Sequence, residues 1–205
     1  MNPDTFIIVQ QVLAADHQAI VTGIALQVDS PTVFLFDEYH LFNALIDDNV
    51  AIAKTLIQIA GVMLIGVEGC AGDRITVHDI MVPVFERCFG RGMRFTSAML
   101  ACPEMEVVGV DSPELSRRID EDCQQGKWAP QNHPAQELRS EHMVTTIIQK
   151  FQTRGNAKAA ILNAGARHND DIQTIVLSAK RNQVGAGMVS FVRVRSRLFP
   201  NPTKT

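Results

Sequence analysis

The sequence lacks the short motifs that identify several common classes of enzyme. It contains no G-x-G-x-x-G, no P-loop, no H-E-x-x-H and no G-x-S-x-G. These motifs place glycines against phosphates, two histidines against zinc, or a serine nucleophile at a sharp turn. Their absence argues against dinucleotide-dependent dehydrogenases, P-loop NTPases and serine hydrolases of the α/β-hydrolase type.

Cysteine pairs, long apolar runs and an excess of one charge are lacking as well. The four cysteines among 205 residues show no C-x-x-C spacing, which predicts reduced thiols. No apolar run approaches the roughly 20 residues of a membrane helix, and the first run is interrupted at Gln10 and Asp16. A net charge of −3 gives no reason to expect nucleic acid as a partner. We therefore expect a cytoplasmic protein with neither a membrane span nor a nucleic-acid partner.

Short apolar runs alternate along the chain with longer amphipathic stretches. This alternation is typical of α/β proteins, in which helices cover a largely parallel sheet. We predict a single three-layer α/β domain over residues 1–198, with a mostly parallel or mixed sheet covered by helices on both faces, and a flexible tail over 199–205. Strands are predicted at 33–36, 62–67, 106–110, 158–162 and 188–194, and helices at 42–60, 76–88, 91–102, 112–123, 135–154 and 170–180.

The last predicted strand and the residues just after it carry three arginines, Arg193, Arg195 and Arg197. We interpret them as the solvated face of that strand and its tail. The same strand is a candidate for the edge of the sheet, where a second copy of the chain can pair with it. A homodimer is therefore one option for the assembly.

Charged or imidazole side chains follow three of the predicted strands. Glu38 and His40 follow the first strand, Glu68 follows the second, and His168 follows the run at 158–162 after a turn of small residues. In α/β proteins the chemistry lies outside the carboxyl ends of parallel strands. If the three strands are neighbours, these side chains converge. Two imidazoles with two carboxylates suit a divalent metal or a general acid–base pair.

Each of these residues also has a plain structural interpretation. Glu38 and His40 fit a surface turn, Glu68 fits a helix cap, and His168 fits a solvent-facing position in a tight turn. We favour a functional site because the three coincidences occur at three strand ends. The other histidines lack a strand-end setting, and we interpret them as structural or exposed: His17, His78, His133 and His142.

Four short motifs occur in a fixed order over about residues 32–180. They are Asp37-Glu38-Tyr39-His40, Gly66-Val67-Glu68, Arg139-Ser-Glu-His-Met143 and Ala164-Gly165-Ala166-Arg167-His168. This order resembles the superfamily that joins erythromycin esterases, ChaN-like haem-binding proteins and the Tiki/TraB group. The chain departs from the superfamily pattern in three ways. Asp37 stands in place of a glycine, Arg167 intervenes before the histidine, and the chain is shorter than the enzymes.

The resemblance implies a metal-assisted hydrolase. His40, Glu68 and His168 would hold Mn²⁺, Zn²⁺ or Co²⁺, which lowers the pKa of bound water and polarises a scissile carbonyl. Glu38 would act as general base or as a further ligand, and Arg139 would orient Glu68 or a substrate anion. The substrate, a small molecule or a peptide, is not identified by the motifs.

Two other interpretations stay open beside the hydrolase. A haem- or iron-binding protein like the ChaN group would use Tyr39 or His40 as an axial ligand. A non-catalytic member of the superfamily would keep the site for regulation or for assembly with a partner. The short chain and the missing glycine favour this last interpretation.

Overall fold

A seven-stranded mixed sheet forms the centre of the fold. The structure is a computed structural model, and it describes residues 1–39, 42–80, 93–155 and 157–200. The strand order is β1-β7-β2-β6-β3-β5-β4, with β7, β2, β6, β3 and β5 parallel and the two outer strands antiparallel to their neighbours. The strands are β1 (Ile20–Ala25), β2 (Thr32–Glu38), β3 (Val62–Val67), β4 (Ala71–Gly72), β5 (Glu106–Val110), β6 (Ala159–Gly165) and β7 (Ser190–Arg195).

Helices cover both faces of this sheet, as predicted. Those in the described ranges are α1 (Pro3–His17), α2 (Asn43–Ala60), the short α3 (Val77–Ile80), α4 (Met93–Leu100), α5 (Pro113–Gln124), α6 (Ala135–Thr153) and α7 (Ala166–Leu177). Short 3₁₀ turns lie at Pro130–Asn132, Ala179–Arg181 and Ala186–Met188. Within the described ranges, no helix is both long enough and apolar enough to cross a bilayer.

The core has two layers because side chains alternate along each strand. Phe34, Phe36 and Ile161 lie on one face of the sheet, in the cluster that α1, α2 and α4 cover. Val33 and Leu35 lie on the other face, in the cluster that α6 and α7 cover. Every residue of β2 is buried, which is typical of a parallel strand covered on both sides.

Two glycines fulfil specific backbone requirements at the start and near the end of β3. Gly61 ends α2 with φ 63°, in the left-handed conformation that glycine adopts without strain. Gly66 lets α6 approach β3, because a Cβ at this position would lie 2.9 Å from the Ile147 side chain and 2.8 Å from Val110. Substitution at Gly66 would therefore move α6 relative to the strand ends.

The predicted α/β class, the helices on both faces and the parallel neighbours are confirmed. Ser112 caps α5 as expected, since its hydroxyl accepts a hydrogen bond from the Leu115 N–H at 3.3 Å. The strand predicted to end at residue 162 continues to Gly165, and the helix predicted to begin at residue 170 begins directly after it, at Ala166. No separate turn lies between the two elements. The last strand is wrong as a candidate edge: β7 lies between β1 and β2, and the outer strand on that side is β1.

Some predictions fall outside the part of the chain that the structure describes. They concern His40, residues 81–88 of the helix predicted over 76–88, residues 91–92 of the helix predicted over 91–102, and residues 201–205 of the predicted tail. The helix α1 and the strand β1 had no counterpart in the prediction, because their apolar residues are interrupted by polar ones.

One ion pair between β5 and α6 makes stability depend on pH. Arg154 donates two hydrogen bonds to Glu106, and these lower the pKa of Glu106 below its ordinary 4.5, although burial opposes the change. A carboxyl with a lowered pKa stabilises the fold above pH 4.5, and this contribution is lost as the pH falls through the folded-state value.

We expect Glu106→Gln to lower the free energy of unfolding at pH 7 by about 1 kcal/mol or less, because the pair is partly exposed. The difference from the parent shrinks as the pH falls below 4.5. Urea unfolding at several pH values measures it. Glu121→Gln is the control, since Glu121 pairs with Arg117 on the solvent-exposed surface. A difference that grows on acidification would contradict the assignment.

Candidate functional site

The carboxyl ends of β2, β6 and β3 lie side by side, so the three predicted strand ends are neighbours. Glu38 pairs in register with Gly165, and Val67 pairs with Asn163. The end of β5 follows next to β3 and brings Asp111 to the same edge. The condition on which the predicted site depends, that these three strands are neighbours, is therefore met.

Glu68 and His168 meet at this edge. The Nε2 atom of His168 lies 3.3 Å from Oε1 of Glu68, and the Gly165 N–H donates to Oε2 at 2.7 Å. Both side chains are largely buried, with 8% and 14% of their surfaces exposed. Because α7 begins at Ala166, His168 lies in the first helical turn, directly above the end of β6.

Arg139 on α6 holds the carboxylate of Glu68 from the other side. Its Nη2 lies 3.4 Å from Glu68 Oε1, while Nε donates to Asp111 Oδ1 at 2.9 Å and Nη2 donates to Asp111 Oδ2. Burial opposes the charge of Arg139, but the hydrogen bonds and charge of Asp111 and the charge of Glu68 raise its pKa. Since Asp111 occupies the guanidinium, the geometry favours the first predicted role for Arg139, which is to orient Glu68.

Asp111 is itself anchored by backbone. It accepts hydrogen bonds from the Gly69 N–H at 3.0 Å and from the Ser112 N–H at 2.7 Å. Asp111 therefore connects the ends of β3 and β5 to α6. With the Ser116 hydroxyl, which donates to Oδ1 at 3.4 Å, the buried carboxylate accepts five hydrogen bonds and forms a rigid support for the guanidinium.

The residue after Arg139 contacts the other member of the pair. Ser140 Oγ lies 2.8 Å from His168 Nδ1, 2.9 Å from Asp171 Oδ2 and 3.0 Å from the Gln136 carbonyl. Glu68, His168 and Ser140 thus form a chain of contacts from an acid through an imidazole to a hydroxyl, as in a nucleophilic triad. Ser140 is fully buried, however, so its hydroxyl is not exposed for attack on a substrate.

Glu38 belongs to the opposite face of the sheet. It shares its side of β2 with Phe34 and Phe36, whereas Glu68 and His168 lie on the side of α6 and α7. The Asn163 amide donates a hydrogen bond to Glu38 Oε2. Tyr39 follows as a half-exposed side chain, and His40 lies outside the described residues.

Asp37, the residue before Glu38 on β2, is buried between two arginines. Arg193 Nε lies 2.9 and 3.1 Å from its two oxygens, and Arg195 Nε lies 2.6 Å from Oδ2. Asn169 donates a further hydrogen bond at 3.0 Å. The interpretation of Arg193 and Arg195 as a solvated face is therefore wrong. They neutralise an acid that the apolar core could not hold alone.

The predicted metal ligands form a partial donor set. Glu68 and His168 supply one carboxylate and one imidazole, and protein metal sites use at least three protein ligands in most cases. Among the residues that the structure describes, no group of three or more His, Cys, Asp or Glu side chains is placed to bind one ion. The Arg139 guanidinium beside Glu68 also opposes a cation there. These residues by themselves therefore do not fit a metal.

Sequence reasoning missed four residues of this network: Asp111, Ser140, Asn163 and Asp171. Asp111 carried the same signal as Glu68, since it follows a predicted strand directly. Asn163 was not recognised as a candidate because the strand was predicted to end at residue 162. Ser140 and Asp171 had no signal, because only the packing of α6 on α7 brings them to His168.

Comparison with protein-family models, with curated proteins and with solved structures gave no match to this chain. The resemblance to the erythromycin esterase, ChaN-like and Tiki/TraB superfamily therefore stays a prediction from the motifs.

We expect Asp111→Asn to destabilise the protein by about 3 kcal/mol, because it leaves the buried Arg139 guanidinium with only the longer contact to Glu68, at 3.4 Å, as a carboxylate partner. Urea unfolding followed by circular dichroism measures the change. Asp16→Asn is the control, since Asp16 is an exposed acid on α1, away from Arg139. Equal losses in the two variants would show that the Asp111–Arg139 pair has no special importance.

Proposed function

We propose that this protein is a hydrolase whose reaction takes place at the Glu68–His168 pair. The observation that carries the proposal is the 3.3 Å contact between the imidazole and the carboxylate at the carboxyl ends of parallel strands. Two titratable groups in contact at such an edge are suited to accept a proton from water and return it to a leaving group. The motif resemblance supports hydrolysis as the reaction class.

The surrounding residues divide the work between the two members of the pair. Arg139 and the Gly165 N–H stabilise the ionised form of Glu68, and the carboxylate of Glu68 in turn stabilises the proton that Nε2 of His168 accepts from water during the reaction. The Nε2–Oε1 edge is then where a proton is exchanged with water or substrate. Glu38 lies on the other face of β2, and we assign no proton transfer at this edge to it.

The wider proposal concerns cofactor, location and partners. It comprises a cytoplasmic protein with reduced thiols, acting on a small molecule or a peptide and not on nucleic acid. Cys70, Cys102 and Cys123 are free thiols, and the net charge is −3. If two copies pair through a sheet edge, the outer strand β1 is the one to test. A divalent metal and a haem bound through Tyr39 belong to the competing forms of the proposal.

We expect the parent to hydrolyse at least one substrate from a panel of p-nitrophenyl acetate, p-nitrophenyl butyrate, a γ-lactone and a peptide p-nitroanilide. His168→Ala and Glu68→Gln should each lower kcat/KM about 100-fold or more, because each removes one half of a general acid–base pair. His142→Ala is the matched control, since His142 is an exposed histidine on α6. Thermal melting by circular dichroism verifies that each variant is folded.

Metal content by mass spectrometry, on protein purified without chelator, distinguishes the forms of the proposal. Activity that survives chelator treatment supports the acid–base pair alone. A stoichiometric transition metal that disappears in the His40→Ala/His168→Ala double variant would replace it with a metal-assisted reaction. No turnover on the whole panel would overturn the hydrolase. A Soret band after haemin titration that Tyr39→Ala abolishes would then favour haem binding, and its absence a non-catalytic role.

A further inference from the structure

The Ser140 hydroxyl has more acceptors around it than it has hydrogens. Asp171 Oδ2, the Gln136 carbonyl and His168 Nδ1 all lie within 3.0 Å of Oγ. A hydroxyl carries one hydrogen and two lone pairs, so it donates to one of these groups at a time. The ionised carboxylate is the strongest of the three acceptors. With the hydrogen given to Asp171, Oγ turns a lone pair towards Nδ1.

We propose that Ser140 and Asp171 are positioning residues, which make Nδ1 of His168 a hydrogen-bond donor and hold its ring with Nε2 towards Glu68. Each ring nitrogen of His168 has one contact: Ser140 Oγ lies 2.8 Å from Nδ1, and Glu68 Oε1 lies 3.3 Å from Nε2. The two contacts together fix the orientation of the ring. The catalytic consequence rests on the proposed function, whereas the location of the hydrogen on Nδ1 does not.

Helix α6 and helix α7 supply this arrangement together. Arg139 and Ser140 are consecutive residues of α6, and they support Glu68 and His168 respectively. Asp171 is three residues after His168 on α7, a spacing that places both side chains on one face of the helix. Both members of the reactive pair are therefore oriented from the same turn of α6.

The hydrogen on Nδ1 is measured by NMR on protein labelled with ¹⁵N-histidine. In the parent we expect Nδ1 of His168 to carry a hydrogen. In Ser140→Ala and in Asp171→Asn we expect its resonance to shift towards that of a nitrogen without hydrogen, because the acceptor is removed or the hydroxyl is released. Ser140→Thr, which keeps the hydroxyl, should restore the resonance of the parent. The controls are Ser97→Ala, an exposed serine, and Asp170→Asn, whose acid contacts Arg193 instead.

Kinetics on the same variants separates this inference from the proposed function. We expect Ser140→Ala to lose kcat with KM unchanged, since the ring and not the substrate loses its support. Hydrolysis by the parent together with an Nδ1 resonance that is the same in the parent, Ser140→Ala and Asp171→Asn would overturn the inference alone. Absence of hydrolysis together with the expected resonances would overturn the hydrolase and keep the positioning roles. If Ser140→Ala does not fold, Asp171→Asn and Ser140→Thr carry the same test.

Discussion

A guanidinium buried at the end of a sheet must be paired, and the pairing of Arg139 organises this edge of the molecule. Asp111 provides the pair, and its backbone donors connect the ends of β3 and β5. The same guanidinium also contacts Glu68, so Asp111 fixes the position of Arg139, and Arg139 in turn fixes the carboxylate of the candidate site. Breaking a buried pair by removing one partner costs far more than the pair contributes by its mere presence.

The alternation of side chains along a strand decides which strand-end residues share a site. Glu68 and His168 face α6 and α7, whereas Glu38 lies on the side of α2 with Asn163 as its donor. Residues that follow neighbouring strands therefore reach the same edge of the sheet without necessarily lying on the same face of it. The contact at the candidate site is between one acid and one imidazole, each with its own supporting residue on α6.

The end of β2 is kept in place by a separate network. Asp37 lies in the core with no exposed surface, and two arginines of β7 and Asn169 of α7 supply its donors. A glycine at this position would need none of them. The two arginines therefore neutralise the acid, since burying a carboxylate without a positive partner would cost a large free energy.

Much of the fold followed from local patterns. The apolar runs predicted the parallel strands, Gly61 and Ser112 marked helix ends, and the strand-end rule identified Glu68 and His168 together with their neighbourhood. These features depend on side-chain period and capping, which act over a few residues and are visible in one chain. The start of α7 was misplaced because small residues are compatible with a strand, a turn or a helix.

Only the tertiary structure decided which polar residues meet. Asp111 and Arg139 are 28 residues apart, as are Ser140 and His168, and Asp37 and Arg193 are 156 apart. No local pattern links such pairs, because their contacts depend on strand order and on the height at which α6 crosses the sheet. The sequence alone thus determined the α/β class and the strand ends at which the candidate site lies, and the packing of α6 and α7 determined the geometry of that site.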